Sequence, residues 1–157
     1  MKRKTPVFCL IACFFAGIAL AAGPPKEPAA IHVDGPTEPL PAGERAKFFV
    51  QLEPKPGIKI NRYPRLKLEV KPELGLHEGG KSEVGRERPP KADEVGDNYF
   101  AREEIPAIEI EIPTEAGAAA GTYELEAKLV YFYCVTDSGF CAPKRMTLPL
   151  YVDIAAE

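Results

Sequence analysis

A chain of 157 residues is one domain's worth of sequence, and its 23 acidic and 20 basic residues give a net charge of −3 at neutral pH. Without a basic cluster in its body, the chain lacks the electrostatic footprint of a nucleic-acid or anionic-lipid binder. Seventeen prolines and no tryptophan argue against long helices and against an antibody-type core.

The first segment reads as an export signal. Lys2, Arg3 and Lys4 precede a twelve-residue apolar run, Val7 to Ile18, and Ala19-Leu20-Ala21 supplies the small-x-small pattern of a cleavage site. The run is shorter than the roughly 20 residues a membrane-spanning helix needs. Leu10-Ile11-Ala12-Cys13 offers an alternative lipoprotein box, but cleavage there would leave the apolar stretch Phe14 to Leu20 where a lipid-anchored protein carries a polar tether. Cleavage after Ala21 is the favoured reading. It leaves 157 − 21 = 136 residues and removes three basic residues and no acidic ones, so the mature charge is 17 − 23 = −6. It also removes Cys9 and Cys13. Cys134 and Cys141 then reach the periplasm or the exterior, where disulfides form and persist.

Residues 22–30 are Pro-rich and read as a flexible leader, with a single domain over 31–157. From there the apolar period is close to two. Ala46 to Leu52 reads as a strand ended by the turn residues Pro54-Lys55-Pro56-Gly57. Leu66 to Val70 alternates strictly, and the polar, Gly-rich segment Gly79 to Asp97 reads as a long mobile connection. Ile108 to Ile112 alternates again between Pro106 and Pro113, and the Ala-rich stretch Glu115 to Ala120 is bracketed by Gly117 and Gly121, as a loop would be. Thr122 to Cys134 is the longest strand, with Tyr123, Leu125, Ala127, Leu129, Tyr131 and Tyr133 on one face. Met146 to Ile154 closes the set, with Leu148, Leu150, Val152 and Ile154 on one side. No window carries a 3.6-residue stripe. Short strands punctuated by turn signals predict an all-β fold, an immunoglobulin-like antiparallel β-sandwich.

Cys134 and Cys141, with six residues between them, end one strand and precede another, so both sulfurs fall near the closed end of a hairpin. Two readings are open. An exported domain commonly uses such a bond as a staple. Against that, so short a loop gains only about 2 to 3 kcal/mol of unfolded-state entropy on closure, and a bond at a hairpin tip is accessible to an attacking thiolate. Lys144 and Arg145, close behind Cys141 in sequence, would favour its thiolate, and Asp137 would oppose it.

The run Val130-Tyr131-Phe132-Tyr133-Cys134-Val135-Thr136-Asp137-Ser138-Gly139-Phe140-Cys141-Ala142-Pro143-Lys144 resembles the active-site hairpin of the N-terminal periplasmic domain of the disulfide reductase DsbD, where an aromatic-rich strand, a cysteine, a polar loop, Gly-Phe-Cys and Pro follow in that order. Upstream, Asp97-Asn98-Tyr99-Phe100 is similar to that family's cap loop, which folds over the disulfide. The resemblance covers Asp97 to about Ile154. Two departures stand out: the loop between the cysteines is one residue longer than the family's commonest form, and Asn98 takes the place of a second acidic residue.

The resemblance implies a thiol–disulfide exchange module in which Cys141 attacks or is attacked by a partner and Cys134 resolves the mixed disulfide. Its implied partners are thioredoxin-like proteins or a membrane electron carrier. No membrane-spanning carrier region or thioredoxin-like domain follows in the sequence, so a stand-alone version of the module is expected. Sulfur alone carries the chemistry, so no cofactor is expected. Tyr99 and Phe100 have two readings, a lid over the disulfide or packing anchors. His32 and His77 show no ligand spacing to each other or to the thiols, so no metal is expected. Phosphate loops and serine-nucleophile motifs are absent from the sequence. Glu109, Glu111, Glu124 and Glu126 read as a solvated sheet face. The rival function is a non-catalytic binding or structural module with a stapled hairpin.

Overall fold

In the computed structural model, which describes residues 25–156, the alternating segments become eight strands among the described residues. These are β1 (Ala29–Asp34), β2 (Arg45–Pro54), β3 (Ile58–Ile60), β4 (Leu66–Val70), β5 (Gly80–Val84), β6 (Ile108–Pro113), β7 (Gly121–Val135) and β8 (Cys141–Ile154). Two short 3-10 helices, Ala92–Asn98 and Arg102–Glu104, lie between β5 and β6. The export-signal reading of residues 1–21, with its Cys13 alternative, lies outside the described residues. Among the described residues no helix is long and apolar enough to cross a membrane.

The strands form two antiparallel sheets, β1-β2-β6 and a five-stranded sheet built around β7. β8 pairs with β7 along one edge. β3 and β4 follow one another along the other edge, opposite residues 133–135 and 127–130 of β7, and β5 lies beyond β4. The period-two pattern sends one face of each strand inward. Phe48, Val50 and Leu52 of β2 and Ile108, Ile110 and Ile112 of β6 join Leu66, Leu68 and Val70 of β4, Leu125, Leu129 and Tyr131 of β7 and Leu150 and Val152 of β8 in one buried cluster. Glu109, Glu111, Glu124 and Glu126 stay on the outer faces. The all-β antiparallel sandwich expected from the pattern is the fold observed.

Three segments differ from their expected form. The leader ends two residues early: Ala29 and Ala30 already belong to β1, opposite Pro54 and Glu53, and Lys55 N–H donates to the Pro28 carbonyl. β1 is an edge strand with little buried apolar surface, so its ladder bonds rather than its composition hold it.

The segment Gly79 to Asp97 is not a structureless connection. Its start is β5, paired with β4 through all five residues, and its end is the first 3-10 helix. Gly79 makes the turn into β5 at φ +76°, where an added Cβ would lie 2.6 Å from the Val70 carbonyl oxygen. β5 shows no apolar alternation because ion pairs cover it: Glu83 reaches Lys67, Lys81 and Arg65. The hydrogen bond from Lys81 leads in holding the Glu83 carboxyl down to about 2.

β8 begins at Cys141, five residues before the expected Met146. Pro143 disguises the start, yet it is tolerated because β8 is an edge strand whose outer side needs no amide donor.

The core closes without help from the disulfide, which joins neighbours in one sheet rather than the two sheets. The Cys134→Ser/Cys141→Ser protein is therefore expected to keep a β-rich circular dichroism spectrum and to unfold cooperatively, with stability lower by about 2 to 3 kcal/mol. Denaturant titration of the two proteins measures this, and a double-Ser protein unfolded at room temperature would make the bond structural.

Candidate functional site

Cys134 and Cys141 are bonded to each other and are the last opposed pair of the β7–β8 ladder. The pairing follows from strand geometry. Val135 N–H donates to the Phe140 carbonyl at 2.7 Å, which makes 134/141 the adjacent pair without ladder hydrogen bonds, the kind that brings opposing side chains closest. Their Cα atoms are 4.0 Å apart. The six-residue connection is tightened by Gly139 N–H donating to the Val135 carbonyl, with Gly139 at φ +66°.

The two sulfurs have different surroundings. Cys134 is 5% exposed, whereas Cys141 is exposed at the surface. Phe140, 41% exposed, packs its ring 6.5 Å from that of Tyr133 beside the bond. The fold thus presents one sulfur to an incoming group and withholds the other.

The segment 97–100 lies against the strand that carries Cys134's other neighbour. Asn61, just past β3, donates its N–H to the Phe132 carbonyl and bridges to Tyr99. The four residues of the segment divide their tasks. Asp97 is exposed. Asn98 is buried and structural: its Oδ1 accepts from Tyr63 N–H at 3.0 Å and its Nδ2 donates to the Tyr63 carbonyl at 2.9 Å. Tyr99, half-buried, points its hydroxyl at Cys134 Sγ, 3.6 Å away, with Lys59 Nζ 5.2 Å from its ring centre. Phe100 packs against the edge of the core, and Arg62 lies over its ring. Of the aromatic pair, Tyr99 covers the buried sulfur and Phe100 is an anchor.

The cap backbone is held firmly. Arg62 N–H donates to the Asn98 carbonyl at 2.6 Å and Phe100 N–H to the Ile60 carbonyl at 3.0 Å, in addition to the two Asn98 side-chain bonds. The Tyr99 ring, by contrast, lines a surface cleft of about 750 Å³ and a second of about 290 Å³, which give it room to turn. Ahead of the cap, Glu94 ties the connection together. It takes both terminal nitrogens of Arg88, one of Arg86 and the Lys91 N–H, and the Arg88 bond leads in holding its carboxyl down to about 2.

Sequence order misled on the local charge. Lys144 and Arg145 follow Cys141 in an extended strand, so their Cα atoms lie roughly 10 and 13 Å beyond it. Lys144 Nζ donates to the Lys26 carbonyl instead. The cation beside the disulfide is Lys59, opposite Cys134 in the β3–β7 register. Lys59 and Asn61 are the site residues that pattern reading missed, and Phe140 entered only as part of the Gly-Phe-Cys motif. The three-residue strand β3 is too short to show a period, and an exposed aromatic in a turn was the one available signal. His32 is exposed beside Glu53, and His77 is buried, with Nδ1 accepting from Gly79 N–H and its pKa lowered by burial. Among the described residues no group of three or more His, Cys, Asp or Glu side chains is placed to hold a metal ion.

Comparison of the chain with protein-family models, with curated proteins and with solved structures returns no match.

The division within the cap has a measurable consequence. Tyr99→Ala is expected to speed reduction of the disulfide by a small thiol severalfold with little loss of stability. Phe100→Ala should chiefly lower stability, by less than the roughly 3 to 5 kcal/mol of a fully buried Phe. Reduction kinetics and denaturant titration of the two variants check the assignment.

A second outcome concerns acid. Because the Glu94 carboxyl titrates below its unfolded value of about 4.3, its stabilisation is complete above that value and is lost as the pH falls toward about 2. Amide protection in residues 86–98, measured against the intrinsic exchange rate at each pH, should fall across that window, and Glu94→Gln should lower protection there already at neutral pH.

Proposed function

We propose that this chain is an exported dithiol/disulfide carrier, using Cys134 and Cys141 as its redox pair and resembling the N-terminal periplasmic domain of DsbD. The observation that carries the reading is the asymmetry of the bond: an exposed Cys141 sulfur beside a buried Cys134 sulfur that Tyr99 covers. Exchange requires one sulfur open to a partner and a second within bonding distance to resolve the mixed disulfide, and unequal access decides which sulfur is attacked.

The transfer runs as two displacements. The Cys141 thiolate attacks one sulfur of an oxidised partner's disulfide. That bond breaks, a mixed disulfide forms, and the partner's second sulfur leaves as a thiolate and takes a proton. Cys134, having given its proton to solvent, attacks the Cys141 sulfur, closes the intramolecular bond and releases the partner as a dithiol. Two electrons pass to the partner. A donor dithiol resets the chain by the same steps in reverse, so thioredoxin-like proteins or a membrane electron carrier are the proposed partners, and no cofactor takes part. Because the cap backbone is hydrogen-bonded in place, turning the Tyr99 side chain is the least costly way to uncover the buried sulfur.

A second reading has its own support: the bond joins directly opposed residues of the longest ladder, as a staple would. The reduction potential separates the two. A structural bond lies below about −300 mV, whereas exchange proteins lie between about −270 and −120 mV.

Trapping tests the function directly. Cys134→Ala, expressed with its export signal in a periplasm, should leave Cys141 holding partners as stable mixed disulfides, seen as thiol-sensitive bands absent from Cys134→Ala/Cys141→Ala. Identical lanes from the two proteins would sink the carrier reading.

A further inference from the structure

Asn61 occupies a place that the disulfide form gives no use for. Its backbone is fixed on both sides, by the N–H bond to the Phe132 carbonyl of β7 and by the bridge to Tyr99. Its side chain is half-buried, and its Oδ1 lies 3.5 Å from Cys134 Sγ. Among the described residues the Asn61 amide makes no other side-chain hydrogen bond, unlike Asn98, whose amide is fully used by the Tyr63 backbone. A half-cystine sulfur carries no proton, so in the disulfide this carbonyl oxygen faces an atom that cannot donate to it. Reduction changes that: Cys134 becomes a thiol, and a thiol is a donor.

We propose that Asn61 is the hydrogen-bond acceptor of the Cys134 thiol in the dithiol state, and that it thereby biases the redox pair toward reduction. This rests on the reading that the pair cycles between its two states. Reduction by two thiols breaks the Cys134–Cys141 bond, forms one new disulfide between the two reductant sulfurs, and leaves one proton on each protein sulfur. The proton on Cys134 then points to Asn61 Oδ1, while the Tyr99 hydroxyl donates to the same sulfur from the cap. Both hydrogen-bonding capacities of the buried thiol are met. Cys141 has a corresponding oxygen, the Gly139 carbonyl at 3.7 Å, but it sits at the surface where water competes for the proton. An interaction present in the dithiol and absent from the disulfide stabilises only the dithiol, so removing it moves the equilibrium toward the disulfide. It also holds Cys134 as a neutral thiol, leaving the exposed Cys141 as the attacking sulfur.

The test is the equilibrium of the full chain with glutathione and glutathione disulfide at neutral pH. Asn61→Leu keeps the volume and removes the acceptor, and Asn61→Ala serves if the Leu protein fails to fold. Either should shift the equilibrium toward the disulfide by about threefold to fivefold, equivalent to roughly 14 to 21 mV for a two-electron couple. Asn61→Asp keeps an acceptor at the same place and should hold the wild-type position or move further toward the dithiol. A structural Asn61 would instead change the unfolding midpoint of the disulfide form and leave the equilibrium alone. A shift of less than about twofold in the Leu and Ala proteins, or equal shifts in the same direction for Leu and Asp, overturns the proposal. Partner trapping reads exchange with proteins and the glutathione equilibrium reads Asn61, so either idea can fail while the other stands.

Discussion

The site depends on the register of the β7–β8 ladder. Fourteen consecutive antiparallel pairs run from Gly121 opposite Ile154 to Cys134 opposite Cys141. Because side chains alternate, a one-residue slip of β8 along β7 would turn Leu148, Leu150, Val152 and Ile154 to solvent and carry the cysteines out of opposition. The burial of those side chains is thus what places the sulfurs. The disulfide reports the register and adds to it modestly, since it spans so short a loop.

On that ladder the sandwich builds asymmetry. Strand β7 is covered near its end by β3 and then by the segment that contains Asn98 and Tyr99, so Cys134 lies under protein. β8 has no such cover at Cys141 because it forms the edge of its sheet. One strand's depth and the other's exposure give two chemically identical residues unequal access. Thiol exchange is governed by access as well as by thiolate fraction, so this inequality, more than any nearby charge, marks the pair as a candidate for chemistry. Lys144 and Arg145 carry little weight here, because the extended strand takes them away from the sulfur.

The cap is anchored with polar contacts where the core uses apolar ones. Asn98 clamps the Tyr63 backbone, and Glu94 gathers Arg86, Arg88 and the Lys91 amide. Together they order a stretch with almost no apolar period. Ion pairs this near the surface, half-buried at Arg86 and exposed at Arg88, contribute little each to global stability, and their effect is positional. They set where the backbone of residues 97–100 lies, and with it the reach of the Tyr99 hydroxyl to Cys134.

The sequence by itself determined the layers of the fold and the chemistry on offer. Strict alternation in Leu66–Val70, Ile108–Ile112 and Thr122–Cys134 specified strands with one buried face, and prolines and glycines between them left antiparallel sheets as the consistent arrangement. The cysteine pair at a strand end was legible for the same reason. Tertiary structure decided what local pattern does not encode. β5 and β1 are strands because a neighbour's backbone groups pair with them, so their composition was uninformative. Lys59 and Asn61 reach the disulfide through a register between β3 and β7 that spans more than 70 residues of sequence. Which cysteine is buried was likewise settled by packing: solvent access depends on the elements that fold over a residue, and those lie far from it along the chain.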